Sequence, residues 1–398
     1  MMEILEVRRK SGEGTAEITG LIRRGSERFD LYFRFPERYR DFLAPGPEPF
    51  LCALLVPAMS RGESLSTRLP VSPDLLRGFR RAQVALQGMY PKLLRSVPVE
   101  APLRTDPVQW QGEPRRLGSF FSCGVDSFYT CLSNQQNPKP GFPPLTHALF
   151  MRGLETELEQ DRGVAESAAL ARHAARALGL ELIEGESNLR SFFSVGWLAW
   201  SGTGLAATAH ALGRGFEVFL IPSGSRYWTV APPNGSHPLI DESCSAEWLR
   251  IHHDGAHAGR PYKIATLVGQ SELALSSLRI CTLNRGASYN CGECSKCIRT
   301  MVAMEAAGVL ERARTLPTRL PADWHRVYRP NFTTPLEECL AIARERNRPR
   351  GFVRDLERAL RRVRVRNAAR ELFETTRLRH LLPAVRRVRA LRHRPSPN

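Results

Sequence analysis

The spacing of apolar residues predicts a β-rich segment at the start of the chain. Three stretches alternate or cluster β-forming residues, with glycine-containing turns between them: residues 3–9, 15–23 and 28–35. They predict a small antiparallel sheet. The apolar run 51–56 predicts a further, more buried strand, and Ser72 followed by Pro73 predicts the N-cap and first turn of a helix. Together these elements predict an accessory α+β domain over residues 1–105.

After a proline-rich connector at residues 102–114, apolar runs alternate with helical patterns. The predicted strands are residues 117–121, 147–151, 181–185 and 217–222, and the predicted helices begin at residues 128, 163 and 196. This alternation is typical of a doubly wound parallel sheet, so we predict an α/β, Rossmann-like fold. Ligands of such sheets bind beyond the carboxyl ends of the strands. Three polar clusters follow predicted strands and are expected to share one cleft: residues 122–127, 152–153 and 223–225.

The hexapeptide Ser-Cys-Gly-Val-Asp-Ser at residues 122–127 predicts an anion site. A tight loop of small residues that leads into a helix leaves backbone N–H groups unpaired, and the helix dipole adds partial positive charge there. A phosphate group fits such a site. The alternative is a plain strand-to-helix turn, in which the serine and aspartate side chains only cap the helix.

Four cysteines near residue 290 predict a metal site. Cys291, Cys294 and Cys297 are spaced by three residues, and Cys281 lies ten positions upstream of the first. Thiolates at this spacing can surround a zinc ion as a tetrahedron, and Gly292 allows the chain to turn between ligands. The alternatives are unpaired thiols in a reduced protein, or a disulfide.

The two motifs, in this order, resemble those of the PP-loop ATP pyrophosphatases, and within that group the 7-cyano-7-deazaguanine synthase family of the queuosine pathway. The likeness covers residues 115–312, about half the chain, and includes Pro261-Tyr262-Lys263-Ile264. It implies an adenine nucleotide alpha hydrolase-like fold and cleavage of ATP to AMP and pyrophosphate. A carboxylate or carbonyl group of a small molecule or modified base would be adenylated and then aminated, with nitrile formation as the family's second step.

The resemblance also implies residue roles. Asp126 and Lys263 would be catalytic, since Asp126 would hold Mg²⁺ and Lys263 would stabilise charge on the α-phosphate. The zinc would be structural. One position departs from the family pattern, because the first glycine of its loop is Cys123 here, and a side chain is strained there if the backbone needs positive φ. The implied ATP-binding residues are those of the loop together with one glycine that follows the fourth predicted strand. They are Ser122, Cys123, Gly124, Val125, Asp126, Ser127 and Gly224.

Arginine is concentrated towards the C-terminus. The chain has 57 Lys and Arg against 40 Asp and Glu, and residues 341–398 hold 18 Arg and five acidic residues, which is +13 of the net +17. Apolar residues recur among these arginines at helical spacing, so we predict a basic helical extension over residues 320–398. Such helices suit packing on the parent domain, nucleic-acid phosphates, or an anionic membrane or acidic partner.

Two other functions fit the same motifs. One is a PP-loop enzyme that modifies RNA and binds it through the basic extension. The other is a non-catalytic nucleotide-binding or conjugating component of a defence or secondary-metabolism cluster, in which Cys123 marks lost turnover.

The remaining features predict a cytoplasmic protein and leave its oligomeric state open. The first residues are charged rather than apolar, and the longest apolar run, residues 50–59, is far short of a membrane span. The polar stretch 234–260 contains His252, His253 and His257, which we interpret as solvated loop residues rather than metal ligands. Cys244 is either a covalent nucleophile or an inert thiol. Three cysteines in apolar surroundings are predicted to be core residues: Cys52, Cys131 and Cys339.

Overall fold

Within the described residues, ten strands form one mixed sheet that helices flank. The computed structural model describes residues 1–106, 116–155, 158, 164–192, 195–228, 233–281, 289–328 and 330–375. The strands are β1 (Met2–Gly12), β2 (Thr15–Arg24), β3 (Glu27–Pro36), β4 (Leu65–Thr67), β5 (Val99–Glu100), β6 (Leu117–Phe120), β7 (Leu145–Arg152), β8 (Glu181–Ser187), β9 (Val218–Pro222) and β10 (Arg250–Asp254). Their order across the sheet is β10-β9-β6-β7-β8-β3-β2-β1-β4-β5.

The half of the sheet formed by β6 to β10 is entirely parallel. The chain enters at β6, adds β7 and β8 on one side, and then returns to add β9 and β10 on the other. The strand order therefore reverses between β6 and β9, where open α/β sheets bind their ligands. The helix-flanked, mostly parallel sheet confirms the predicted α/β class and is compatible with a Rossmann-like fold.

The helices vary in length from single turns to 26 residues. They are α1 (Glu48–Arg61), α2 (Pro73–Met89), α3 (Val125–Gln136), α4 (Val164–Ala177), α5 (Trp197–Ala211), α6 (Pro238–Asp241), α7 (Arg260–Thr266), α8 (Glu272–Ser277), α9 (Ser295–Ala307), α10 (Trp324–Val327), α11 (Thr334–Glu345) and α12 (Arg350–Thr375). The start of α2 is as predicted, because the hydroxyl of Ser72 accepts a 3.0 Å hydrogen bond from the amide of Leu75. Among the described residues, no helix has both the length and the apolar character needed to cross a bilayer.

Helices cover both faces of the parallel strands. Phe120 of β6 and Leu149 of β7 belong to a core that α1 and α5 complete. The next residues, Phe121 and Phe150, point the other way into a core shared with α4 and α9. This alternation is the period of two expected of strands that are buried on both faces.

The N-terminal strands continue the same sheet. The antiparallel meander of β1, β2 and β3 is confirmed, and β3 joins β8 through the pairs Phe33 with Ser187 and Arg34 with Glu186. Residues of β1 to β3 also belong to the core that α5 and the parallel strands share. The division into domains at residues 1–105, 115–312 and 320–398 stays an interpretation of the sequence.

The strand predicted at residues 51–56 is wrong, because this segment lies within helix α1. Every residue from Glu48 to Met59 is buried, since α1 packs between the meander and α5. A helix that is apolar on all sides shows no 3.6-residue period, so its sequence looks the same as that of a buried strand. Gly62, at φ +67°, ends the helix in the left-handed conformation.

The interpretation of residues 234–260 as a solvated loop is also wrong in part. Strand β10 lies within it and forms the edge of the parallel sheet. His253 is buried, and its Nδ1 lies 2.6 Å from the carboxylate of Asp241, which is itself buried. Polar residues that pair with one another inside the fold give no apolar pattern, and this is why the strand was missed.

The C-terminal extension packs on the α/β domain through its apolar residues. Leu356, Leu360 and Val363 of α12 are buried in the core that contains α9 and α11. Packing of the extension is therefore confirmed for α12. The predicted helical pattern beyond residue 375 lies outside the described residues.

Candidate functional site

A cavity of about 370 Å³ opens at the carboxyl ends of β6, β7 and β9. Part of its wall is apolar, including Phe120, Leu149 and Trp197. The remainder is polar and comes from the loop after β6, the loop after β7 and the start of α9. The clusters at residues 122–127 and 152–153 meet here, as the sequence predicted. Of the third cluster, Ser223 and Gly224 lie behind the wall, next to the charged residues described below.

The loop at residues 122–127 has the shape of an anion site. Ser122, Gly124, Val125 and Ser127 all line the cavity, and Gly124 is the N-cap of α3. The first amides of a helix have no intrahelical acceptor, so those of α3 are available to a ligand at this point. The hydroxyl of Ser127 donates to the carbonyl of Gly124 at 3.0 Å and holds the first turn.

Cys123 has the backbone conformation that favours glycine. Its φ is +59°, and its side chain is fully buried, away from the cavity. The strain predicted for this position is therefore present, at a cost of about 1–2 kcal/mol for a residue with a Cβ. Burial raises the pKa of the Cys123 thiol to about 12, which disfavours the reactive thiolate at neutral pH.

Asp126 is held by two cations. Arg260, at the start of α7, reaches Oδ2 through Nε at 2.8 Å and Nη2 at 2.6 Å, and Nζ of Lys263 lies 3.3 Å from Oδ1. Burial alone would raise the pKa of Asp126, but the charges of Arg260 and Lys263 outweigh it, and the pKa lies below its ordinary value. Asp126 is therefore ionised at neutral pH and fixes both cations.

Lys263 is completely buried beneath the loop. Its Nζ donates a 2.5 Å hydrogen bond to the carbonyl of Ser223 as well as contacting Asp126. Burial lowers the pKa of Lys263, while Asp126 opposes the shift. Gly224 is next to this group, since a Cβ there would lie 3.0 Å from Nη2 of Arg260. The structure thus brings Asp126, Lys263 and Gly224 together, but Lys263 and Gly224 lie behind the cavity wall rather than in the cleft.

Of the cations in the cavity wall, sequence reasoning placed only Arg152. Among the described residues, two acids, Asp126 and Glu155, accompany five basic side chains: Arg152, Arg260, Arg279, Lys296 and Arg299. Lys296 pairs with Glu155 at 2.6 Å, and Arg152 contacts Glu186 at 3.3 Å. The excess of positive charge favours a ligand with several negative charges.

Arg299 lines the cavity and forms no ion pair among the described residues. The guanidinium of Arg260 beside it, together with burial, lowers the pKa of Arg299 to about 10. Its Nε is buried and finds no acceptor among the described residues. A buried donor next to a second guanidinium is stabilised when an anion binds between them. The only sequence signal for Arg299 is its place two residues after Cys297, on the helix that the cysteines begin.

The four cysteines predicted as metal ligands converge on one point. Their sulfur atoms all lie within 4.8 Å of one another, with Cys281 to Cys291 at 3.5 Å, and Cys281 to Cys294 and Cys291 to Cys297 at 3.9 Å. A tetrahedral zinc site with Zn–S bonds of about 2.3 Å places its sulfurs about 3.8 Å apart. The residues therefore fit a metal ion such as zinc, with all four positions taken by thiolates.

Local structure supports this cluster in two ways. Gly292 has φ +72°, and a Cβ there would lie 2.5 Å from Pro317, so only glycine fits between the ligands. The buried side chain of Asn290 accepts hydrogen bonds from the amides of Ile280 and Cys281 at 2.7 and 3.0 Å. Asn290 thus joins the two chain segments that supply the cysteines, and its position next to Cys291 was the only sequence signal for it.

Other candidate residues lie outside the cavity. Cys52, Cys131 and Cys339 are buried, as predicted. Cys244 is also buried, its thiol donates to the carbonyl of Ile240, and it is not among the residues that line the cavity. Its position fits the inert thiol rather than the nucleophile. The exposed ring of His257 contacts the hydroxyl of Tyr129 at 2.9 Å, behind Lys263.

This site has to be interpreted from its own geometry. Comparison with known proteins finds no match, because no family model, no curated protein and no solved structure is significantly similar to the chain.

Proposed function

We propose that the protein is an ATP pyrophosphatase-type ligase, which cleaves ATP to AMP and pyrophosphate and joins the activated substrate to nitrogen. The observation that carries the proposal is the position of the loop at residues 122–127. It begins a helix at the point where the strand order reverses, inside a cavity with five cationic side chains. A nucleotide polyphosphate matches that charge and that helix terminus.

The type of loop favours cleavage between the α- and β-phosphorus atoms. A Gly-Lys-Ser/Thr sequence, whose lysine reaches the β- and γ-phosphates in Walker-type sites, is absent from the chain. The loop resembles that of the PP-loop group instead, in which the loop holds the pyrophosphate end of ATP. An adenine nucleotide alpha hydrolase-like fold and a 7-cyano-7-deazaguanine synthase-like activity are the finer forms of this proposal.

The proposed reaction has two steps, adenylation and amination. A carboxylate oxygen of the substrate attacks the α-phosphorus, and the bond to the bridging oxygen breaks with pyrophosphate as the leaving group. Nitrogen of ammonia next attacks the acyl carbon, AMP leaves with the former carboxylate oxygen, and the nitrogen loses its proton to solvent. The chain contributes mainly by placing charge and excluding water.

Each residue has a role in these steps. Backbone amides at Gly124 and Val125, with the hydroxyl of Ser122, hold the leaving phosphates, while the hydroxyl of Ser127 holds the first turn of α3. Arg260 and Arg299 neutralise the negative charge that develops between the α- and β-phosphates. Lys263 lies one layer deeper and keeps Asp126 and the loop in place.

The cofactors fit to different degrees. Zinc fits the four cysteines and would act as a structural ion, since no coordination position is left for substrate. Mg²⁺, when bound with ATP, neutralises the pyrophosphate. Both oxygens of Asp126 already accept from cations, so this carboxylate fits an anchor for Arg260 and Lys263 better than a magnesium ligand. Magnesium ligation by Asp126 stays a prediction.

The experiment is ATP–pyrophosphate exchange. Labelled pyrophosphate is mixed with enzyme, ATP, Mg²⁺ and a panel of small carboxylic acids, without ammonia, so that only the reversible adenylation operates. We expect label to enter ATP with at least one acid. A panel that gives no exchange, together with ATP turnover that yields ADP, would overturn the proposal.

A further inference from the structure

Three aromatic rings are largely exposed in the part of the chain that the structure describes. Among the described residues, the aromatic side chains that are largely exposed are Tyr227 (45%), Trp228 (65%) and Tyr262 (48%). Tyr227 and Trp228 follow β9, and Tyr262 lies in α7 next to Lys263. The amide of Tyr227 donates a 2.8 Å hydrogen bond to the carbonyl of Ala256, which brings the two segments together. We call these three residues the aromatic platform.

Helix α12 presents a basic face to solvent. Its buried residues recur at 356, 359, 360 and 363, and they fix which side packs on the domain. At about 100° per residue, the opposite side carries a row of arginines that are all exposed: Arg350, Arg354, Arg358, Arg361 and Arg362. We call this row the basic face. Among the described residues, only Arg358 of the row forms an ion pair, with Asp355 at 3.2 Å.

Helix α11 connects the basic face to the aromatic platform. The adjacent residues Glu337 and Glu338 hold one arginine on each side. Glu337 pairs with Arg364 of α12 at 2.9 Å, and Glu338 pairs with Arg226. The guanidinium of Arg226 lies over the ring of Trp228, 5.4 Å from its centre. Helix α11 therefore contacts both α12 and the segment that carries Trp228, and Tyr262 lies two residues after Arg260, which lines the cavity.

We infer that the aromatic platform and the basic face together bind a single-stranded nucleic acid. A row of exposed arginines, of which only Arg358 has a carboxylate partner among the described residues, matches the phosphates of a polynucleotide, and exposed aromatic rings stack on bases of any sequence. Stacking requires unpaired bases, so a single strand fits this surface better than a duplex. The location next to the cavity means that the bound strand passes the proposed ATP site.

The inference goes beyond the proposed ATP chemistry and does not depend on it. Binding is therefore measured on the full-length protein without ATP, by fluorescence anisotropy with a labelled 20-nucleotide RNA of mixed sequence. The same measurement is made with the DNA strand of that sequence, with the corresponding duplex, and with vesicles that contain phosphatidylserine. Potassium chloride is varied from 50 to 200 mM.

Two sets of variants separate the two surfaces. The triple variant Arg354→Gln, Arg358→Gln, Arg361→Gln should reduce the slope of log affinity against log salt by about 2, because each phosphate contact to a single strand contributes about 0.7. Trp228→Ala should weaken binding roughly 5- to 100-fold with little change of slope, and Trp228→Phe should restore most of it. The substituted side chains are all exposed, so these variants are expected to fold.

The matched control removes the same charge elsewhere. Arg77, Arg80 and Arg81 are exposed on helix α2, and Arg77 pairs with Asp74 just as Arg358 pairs with Asp355. Their replacement by glutamine should leave affinity and slope nearly unchanged. The inference is supported when single-stranded RNA or DNA binds and the variants change its affinity and salt dependence as predicted. It is overturned by equal loss in the α2 variant, by duplex bound as tightly as single strand, by vesicle binding without strand binding, or by no binding at 50 mM salt.

Discussion

The backbone amide of Arg279 donates a 2.9 Å hydrogen bond to the carbonyl of Cys123. Cys123 lies in the loop that begins α3, and Arg279 is two residues before Cys281, the first of the four clustered cysteines. The side chain of Arg279 lines the cavity, and so do Cys281, Lys296 and Arg299. The four cysteines therefore belong to the chain segments that form one wall of the proposed nucleotide site.

The first prediction concerns the metal. We expect purified protein to contain about one zinc per chain, and Cys297→Ser to lose it. Since the metal joins two segments that no disulfide holds, its loss should lower the Tm by on the order of 10 °C. Zinc content by atomic spectroscopy and thermal unfolding measure this.

The matched control for the metal is Cys339→Ala, which removes a buried thiol outside the cluster. It should keep its zinc. A metal-free protein with unchanged Tm, or loss of zinc in the Cys339 variant, would contradict the assignment.

The second prediction concerns the backbone of Cys123. Glycine adopts φ +59° without the cost that a Cβ imposes. Cys123→Gly should therefore be more stable than Cys123→Ala by about 1 kcal/mol, although both lose the buried sulfur. Denaturant unfolding of the two variants measures the difference. Equal stability, or a more stable alanine variant, would show that the left-handed conformation is not maintained.

The sequence predicted those parts of the site whose residues lie close together in the chain. The loop at residues 122–127 and the four cysteines are short motifs whose spacing alone defines their geometry. Arg260 and Arg299 were missed, because they become neighbours only when α7 and α9 pack beneath the loop. Helix α1 was predicted as a strand for the related reason that its environment, buried on every side, removes the period by which helices are recognised.

The third prediction is a dependence of stability on pH. His210 is buried, its Nε2 lies 2.7 Å from the carbonyl of Cys244, and its Nδ1 has no acceptor among the described residues. Burial lowers its pKa from 6.5 to about 4, against a smaller opposing effect of the Cys244 carbonyl. The unfolded chain thus binds a proton that the folded chain does not. This stabilisation is complete above pH 6.5 and is lost as the pH falls towards 4, by about 1.4 kcal/mol per unit.

The measurement is the free energy of unfolding at pH 7, 6 and 5. His210→Gln cannot be protonated, so its stability should fall less over this range than that of the unchanged protein. His173, which is exposed on α4, supplies the control, and His173→Gln should follow the unchanged protein. Loss of zinc at low pH affects the unchanged protein and both variants equally, so it cancels when their changes in the free energy of unfolding are compared. An identical decline in the His210 variant would contradict the assignment.

The fourth prediction concerns Arg299. Because Arg299 forms no ion pair among the described residues and its buried Nε has no acceptor there, we expect Arg299→Gln to weaken ATP binding about 10-fold or more. Arg312, whose partner Glu272 is on the surface, gives a control of equal charge change in Arg312→Gln. Isothermal titration with ATP and Mg²⁺ measures both. Equal affinities would remove Arg299 from the nucleotide site.

The proposed cleavage of ATP to AMP and pyrophosphate is tested most directly by identifying the products of ATP turnover. The reaction contains the acid selected by exchange, ammonia and Mg²⁺, and phosphorus NMR detects the products. We expect AMP and pyrophosphate in equal amounts. Asp126→Asn, which releases Arg260 and Lys263 from their shared anchor, should lower the turnover rate by a factor on the order of 100 or more. ADP and phosphate as products, or full activity in Asp126→Asn, would rule out the proposed pyrophosphatase activity.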